Sequence, residues 1–163
     1  MIVLDTDIVS NLRRMKPHPS LLRWIGQVGW EDLRMTSFTV MEIQIGIERA
    51  KITAPDVAER VAAWLDGLID IGQPQVLGFD HRAAMVYGRM HETPALRPFL
   101  TSPQGSRNAK TGADLAIASI AIVHGAALAT GNVGDFLEIH ARYPLPGLYD
   151  PLTEIWHVGP PPA

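Results

Sequence analysis

Met1-Ile2-Val3-Leu4-Asp5-Thr6-Asp7-Ile8-Val9-Ser10-Asn11-Leu12 is the stretch whose reading decides the fold. Its apolar run is far too short to span a membrane and stops at a carboxylate. Val and Ile suit a pleat buried on both faces, and in open α/β sheets ligands bind beyond the carboxyl ends of the strands. The stretch therefore reads as a buried parallel strand with Asp5 at its mouth. A second reading stands beside the first: Asp5 or Thr6 caps the helix that Ile8, Val9 and Leu12 announce.

Outward from that strand, short apolar runs alternate with helical patterns. Leu21, Leu22, Ile25 and Val28 place a helix over residues 18–28, stopped by Gly29. A strand over Leu33 to Phe38 leads into a helix opened by Thr39-Val-Met-Glu42, with Ile43, Ile47 and Ala50 on one face. Pro55 starts a helix striped by Val57, Val61, Trp64, Leu65 and Leu68, which ends at Gly72 and Pro74. Gln75 to Phe79 is a strand, and Asp80 caps a helix running to about His91. Thr111-Gly-Ala-Asp114 opens a helix apolar on nearly every side, hence buried, with alanines that permit close approach to a sheet. Gly125 ends it, Ala126 to Ala129 forms a strand, and Gly147 to Tyr149 forms the last one. Such alternation implies an α/β fold on a parallel sheet. Residues 1–157 are expected to form one domain and 158–163 a disordered tail.

Thr93 to Lys110 breaks the pattern with Pro94, Pro98, Pro103 and Gly105, and it carries Arg97, Arg107 and Lys110. It reads as a long, mobile, structureless connection, with a solvated insertion preferred over a substrate-gripping loop as its role.

With 47% hydrophobic residues, a chain of 163 residues can bury a core without staples. The absence of Cys excludes disulfides and thiolate metal sites. The first residues lack a basic region before Asp5, and no apolar run reaches transmembrane length. A soluble, cytoplasmic protein with no membrane partner is expected. At a net charge of −3 the chain is no trap for nucleic acid, so a polyanion must be met by a local basic patch or by bound cations.

Thr39-x-x-Glu42, Thr111-x-x-Asp114 and Asn132-x-x-Asp135 repeat one spacing, which places each acid in the first turn of a helix. Singly, each is explained by a capping box and the helix dipole. Together they are not, because the helix starts of a parallel sheet share the edge that holds Asp5. Two carboxylates about 4 Å apart repel by roughly 4 kcal/mol at an effective dielectric near 20, so such a cluster takes up protons or binds cations. Oxygen donors without thiolate favour Mg²⁺ or Mn²⁺ over zinc. The six histidines form no H-x-H or H-E-x-x-H group, and His81, His91 and His124 read as ordinary helix residues.

Leu4-Asp5-Thr6, Glu42, Gly112-Ala-Asp114-Leu-Ala-Ile-Ala118 and Thr130-Gly-Asn132-Val-Gly-Asp135-Phe136 resemble, in order and spacing, the PIN-domain nucleases of the VapC/FitB toxin type. The resemblance covers essentially the whole chain. It implies a three-layer α/β/α sandwich with a central parallel sheet, a homodimer, Mg²⁺- or Mn²⁺-dependent RNA cleavage, and neutralisation by a cognate antitoxin. It makes Asp5, Glu42, Asp114 and Asp135 the catalytic and metal-site acids. Asp5 and Asp114 would hold the principal ion, Glu42 would share it or orient water, and Asp135 would complete a second position.

Thr6, Asp7, Thr130 and Asn132 are supporting candidates. Thr130 either bonds a site carboxylate or serves a turn, and Asp7 either assists the metal or, preferably, caps the first helix. The chain departs from the pattern in carrying Asp7 where many relatives have Asn, in Gly131 where many have Arg or another polar residue, and in its longer basic loop. Phosphate contacts are expected from Arg13, Arg14 and Lys16 or from the loop cations. Trp24 and Trp30 read as core or interface anchors, and Trp24, Trp30 and Trp64 are candidates for apolar contact surface.

Two other classes fit parts of the sequence. Asp5-x-Asp7 after a strand also resembles a haloacid-dehalogenase-type phosphatase, with Asp5 as nucleophile, Asp7 as acid/base and Lys110 as cation, but it leaves Glu42 without a role. A non-catalytic metal-binding regulatory module would not need all four acids.

Overall fold

Val3 and Leu4 are both fully buried and sit side by side in one strand, so they face opposite sides of the sheet and each seeds a core. The computed structural model describes residues 1–102 and 110–159. Strand β1 (Ile2–Leu4) lies between β2 (Leu33–Thr36) and β4 (Ala127–Ala129), parallel to both. With β3 (Gln75–Leu77), β5 (Leu148–Asp150) and β6 (Ile155–Val158) the sheet order is β3-β2-β1-β4-β5-β6. The helices are α1 (Thr6–Leu12), α2 (Pro19–Val28), α3 (Ser37–Thr53), α4 (Pro55–Ile71), α5 (His81–His91), α6 (Ala113–Val123) and α7 (Val133–His140).

Leu4, Leu33 and Met35 pack on one face against Ile8 of α1, Leu21 of α2, Ile47 of α3 and Leu65 of α4. Val3, Leu128 and Leu148 pack on the other against Met90 of α5, Ile117 of α6 and Phe136 of α7. The result is the expected α/β/α layering. In α6 Ala116, Ala118 and Ala121 are fully buried, which lets this helix approach the sheet closely. Truncating its buried Ile117 to Ala would cost about 2–5 kcal/mol.

The structure corrects several expectations. β2 stops at Thr36, whose Oγ1 accepts the Thr39 amide at 3.1 Å and so caps α3; the helix begins at Ser37, not Thr39, and Glu42 lies beyond its first turn. The sheet is not wholly parallel, because β6 returns antiparallel along β5. Only the turn from Pro151 to Glu154 joins the two, too little chain for a parallel crossover, and Asp150 ties that turn by accepting from the Leu152 amide (2.8 Å) and the Thr153 hydroxyl (2.7 Å). The segment after Thr93 is not structureless: Pro94–Phe99 winds into a 3₁₀ helix that buries Leu96 and Phe99. Trp24 is no surface anchor, being buried with its ring 5.4 Å from that of Tyr149.

Pro103, Gly105 and Arg107 lie outside the described residues, as do residues 160–163 of the expected tail, whereas Val158 belongs to β6. Among the described residues no helix is long and apolar enough to cross a membrane.

Candidate functional site

Parallel pairing of Leu4 with Ala129 carries the next residue of each strand, Asp5 and Thr130, to the same point on the sheet edge. Asp5 is almost fully buried there. Its Oδ1 accepts the Thr6 amide at 2.7 Å and its Oδ2 accepts the Thr130 hydroxyl at 2.7 Å. Asp5 thus caps α1 while standing at the mouth of β1, where the other acids gather. Thr130 has spent its only proton on Asp5, and its oxygen accepts the Asn132 amide at 2.9 Å.

Glu42 reaches the edge from the second turn of α3, with both oxygens tethered. Its Oε2 accepts the Thr6 hydroxyl at 2.6 Å and its Oε1 the Thr111 hydroxyl at 3.2 Å. Asp135, in the first turn of α7, accepts from the Asn132 side-chain amide at 2.9 Å. Asp114 is different. The cap position of α6 is Gly112, at φ 68°, and among the described residues no hydrogen bond reaches the Asp114 carboxylate.

Asp7 places its Oδ2 2.8 Å from the Gly131 amide, and a Cβ at residue 131 would come within 2.8 Å of that same oxygen. The two departures from the family pattern, Asp7 and Gly131, are thus in direct contact.

The acids feel one another. Burial raises the Asp5 carboxyl well above its ordinary value, the charges of Asp7 and Asp114 add to this, and the Thr130 and Thr6 bonds oppose it. Asp114 is pushed up to about 6, first by burial and then by Glu42 and Asp135, with Lys110 pulling the other way. Asp7 is raised by loss of solvent around its carboxylate, against the Gly131 and Ile8 amides. The four acids singled out in the sequence, together with Asp7, thus share one field at one edge.

Glu42, Asp114 and Asp135 line a cleft of about 280 Å³, with Asp5 buried beside them. Among the described residues no three acids or histidines already stand as a closed cage for an ion. The donors nonetheless suit a hard divalent cation: all are oxygens, no histidine lines the cleft, and Asp114 presents a carboxylate that is both hard to ionise and open to it.

Sequence reasoning missed Arg49 and Thr111 here. Arg49 lines the same cleft seven residues beyond Glu42 on α3, a spacing that returns to the same helix face and was the available signal. The threonine tether of Glu42 had no signal short of tertiary structure. Of the expected phosphate contacts, Lys110 lines the acid cleft, while Arg13 lines a second groove that shares Thr6 and Glu42 with the site. Lys110 acts on Asp114 and Asp7 is tied to Gly131, which leaves the phosphatase arrangement around Asp5 without its parts.

The family model of the PIN domain matches residues 2–140. Plasmid stability protein StbB of Pseudomonas syringae pv. tomato is 29% identical over 140 residues, spanning 83% of this chain and 91% of that protein. VapC ribonuclease Y4jK of Sinorhizobium fredii is 28% identical over 142 residues, spanning 83% and 90%. The crystal structure of FitAcB from Neisseria gonorrhoeae shares the fold, with a TM-score of 0.64 at 21% identity over 93% of this chain and 98% of that one.

Proposed function

This chain belongs to the PIN-domain family, and from that premise we propose that it is a Mg²⁺- or Mn²⁺-dependent endoribonuclease, the toxin of a toxin–antitoxin pair. The observation that carries the reading is Asp114: a carboxylate at a helix start that caps nothing among the described residues, lines one cleft with Glu42 and Asp135, and is raised to about 6 by burial first and by those two acids next.

Asp5 and Asp114 would hold the principal ion, with Glu42 sharing it and Asp135 serving a second position. Such an ion, when bound, supplies Lewis acidity and makes water nucleophilic at neutral pH. The chain's own side chains do the positioning. Thr130 fixes Oδ2 of Asp5, Thr6 and Thr111 hold the two oxygens of Glu42, and Asn132 orients Asp135. Rigid partners of this kind keep ligand oxygens aimed at one point.

No histidine pair lines the cleft to work on the RNA's own 2′-hydroxyl, which supports attack by water instead. The products are then 5′-phosphate and 3′-hydroxyl ends, and cleavage stops in EDTA. A cyclic phosphate product, or cutting that persists without metal, contradicts the mechanism.

The names of the relatives, a VapC ribonuclease and a plasmid stability protein, support the toxin role and a cognate antitoxin as partner. A homodimer belongs to the same proposal. Exposed apolar side chains such as Trp30, Ile52 and Trp156 are available for contact with protein. Light scattering at micromolar concentration checks the dimer, and co-expression with the neighbouring small gene should relieve growth arrest.

A further inference from the structure

An edge carrying Asp5, Asp7, Glu42, Asp114 and Asp135 repels a phosphodiester, and one divalent ion does not neutralise it. Resting on the nuclease reading above, we propose that Arg49 and Lys110 form a two-cation clamp that seats a backbone phosphate of single-stranded RNA in the acid cleft.

Arg49 stands on the face of α3 that carries Glu42, with Ile45 between them, and all three line the cleft. Among the described residues nothing holds its guanidinium. Its neighbour Glu48 is occupied by Lys51 at 2.8 Å and by Gln44 at 2.7 Å. Among the described arginines, Arg23 is engaged with Glu154 at 2.8 Å, Arg82 with Asp80 at 3.1 Å and Arg34 with the Glu31 carbonyl at 2.6 Å, and of those without such a partner Arg49 lines the acid cleft. Arg49 is thus exposed, without a partner among the described residues, and two helical turns from a site acid of opposite charge.

Lys110 is held from the other side of the cleft. Its ammonium donates to the Pro98 carbonyl at 2.7 Å and stands 5.8 Å from the centre of the Phe99 ring. That leaves N–H groups free for a ligand while the side chain is already aimed. A guanidinium and an ammonium facing one cleft offer a phosphate a planar donor fork and a point charge.

The test uses Asp114→Asn protein, so that RNA survives the measurement, and fluorescence anisotropy of a fluorescein-labelled single-stranded RNA of about a dozen nucleotides. Affinity is read over a KCl series in millimolar Mg²⁺. Arg49→Gln and Lys110→Gln should each weaken binding and reduce the slope of log affinity against log salt by about 0.7, the double variant by about 1.4. Lys110→Arg should keep the slope. Arg142→Gln, past the carboxyl end of α7 and so at the opposite edge of the sheet, should change neither quantity. Thermal melts establish that each variant is folded. Slopes unchanged in both clamp variants overturn the proposal, as does loss of slope in Arg13→Gln alone, which would route the strand through the groove beside Thr6. Wild-type protein that cuts no RNA sinks the nuclease reading instead.

Discussion

Asp80 and Asp114 each stand at the start of a helix on the same sheet edge, and their carboxyl groups are pushed in opposite directions. Asp80 caps α5: it accepts the Ala83 amide at 2.9 Å and pairs with Arg82, and these partners hold it below its usual value. Asp114 opens α6 with no cap bond and is raised to about 6. The helix dipole favours an anion at both places, so it does not decide between them. What decides is company, amide and guanidinium at one helix, burial and two carboxylates at the other. At Asp80 the donors favour the charge, and at Asp114 burial and neighbouring acids resist it.

The largest effect that separates the two is on cleavage. Asp114→Asn should lower RNA cleavage by roughly 10³-fold, about 4 kcal/mol of barrier, while Asp80→Asn leaves the rate of the folded protein unchanged. Equal losses in both would erase the distinction.

Next comes the pH dependence of stability in EDTA, where the two residues have opposite signs. Asp114 binds its proton more tightly folded, at about 6, than unfolded, at an ordinary 3.8. Stability therefore falls as pH rises between those values and is flat beyond them, by at most about 3 kcal/mol for this group. Asp80 is lowered, so its contribution is present at neutral pH and lost in acid. Denaturant titrations from pH 4 to 8 should show Asp114→Asn flattening the decline and Asp80→Asn lowering stability nearly evenly across it, the difference closing only below about pH 4.

A smaller effect sharpens the account of Glu42. Thr111→Val removes one of its two tethers and should cost cleavage about tenfold, with weaker dependence on Mg²⁺, while the melting temperature in EDTA barely moves. A loss of stability without a change in Mg²⁺ dependence would make Thr111 a turn residue only.

How far these features were legible varies with how local their causes are. The β1 run, the Asp80 cap and the apolar α6 follow from contiguous residues and stand in the structure as expected. The start of α3 did not, because Thr36 and Thr39 offer competing caps and the Glu three residues after Thr39 favoured the wrong one. That error had a consequence: it supplied Glu42 with a capping excuse that the structure removes. Strand β6 was missed because Ile155, Trp156 and His157 are all exposed, so no buried alternation marks them. Arg49 looked like one more cation on a helix surface until Glu42 was placed on the same face.

The central claim, that Asp114 belongs to a metal-binding edge and not to a helix cap, is tested most directly by thermal melts of wild type and Asp114→Asn at neutral pH, in EDTA and in millimolar Mg²⁺. In EDTA the variant should melt at or above wild type, because a repelling charge is gone. Mg²⁺ should then raise wild type above the variant, since an ion that binds only the folded state stabilises it by mass action. A variant that melts lower in EDTA and gains as much from Mg²⁺ as wild type would contradict the claim.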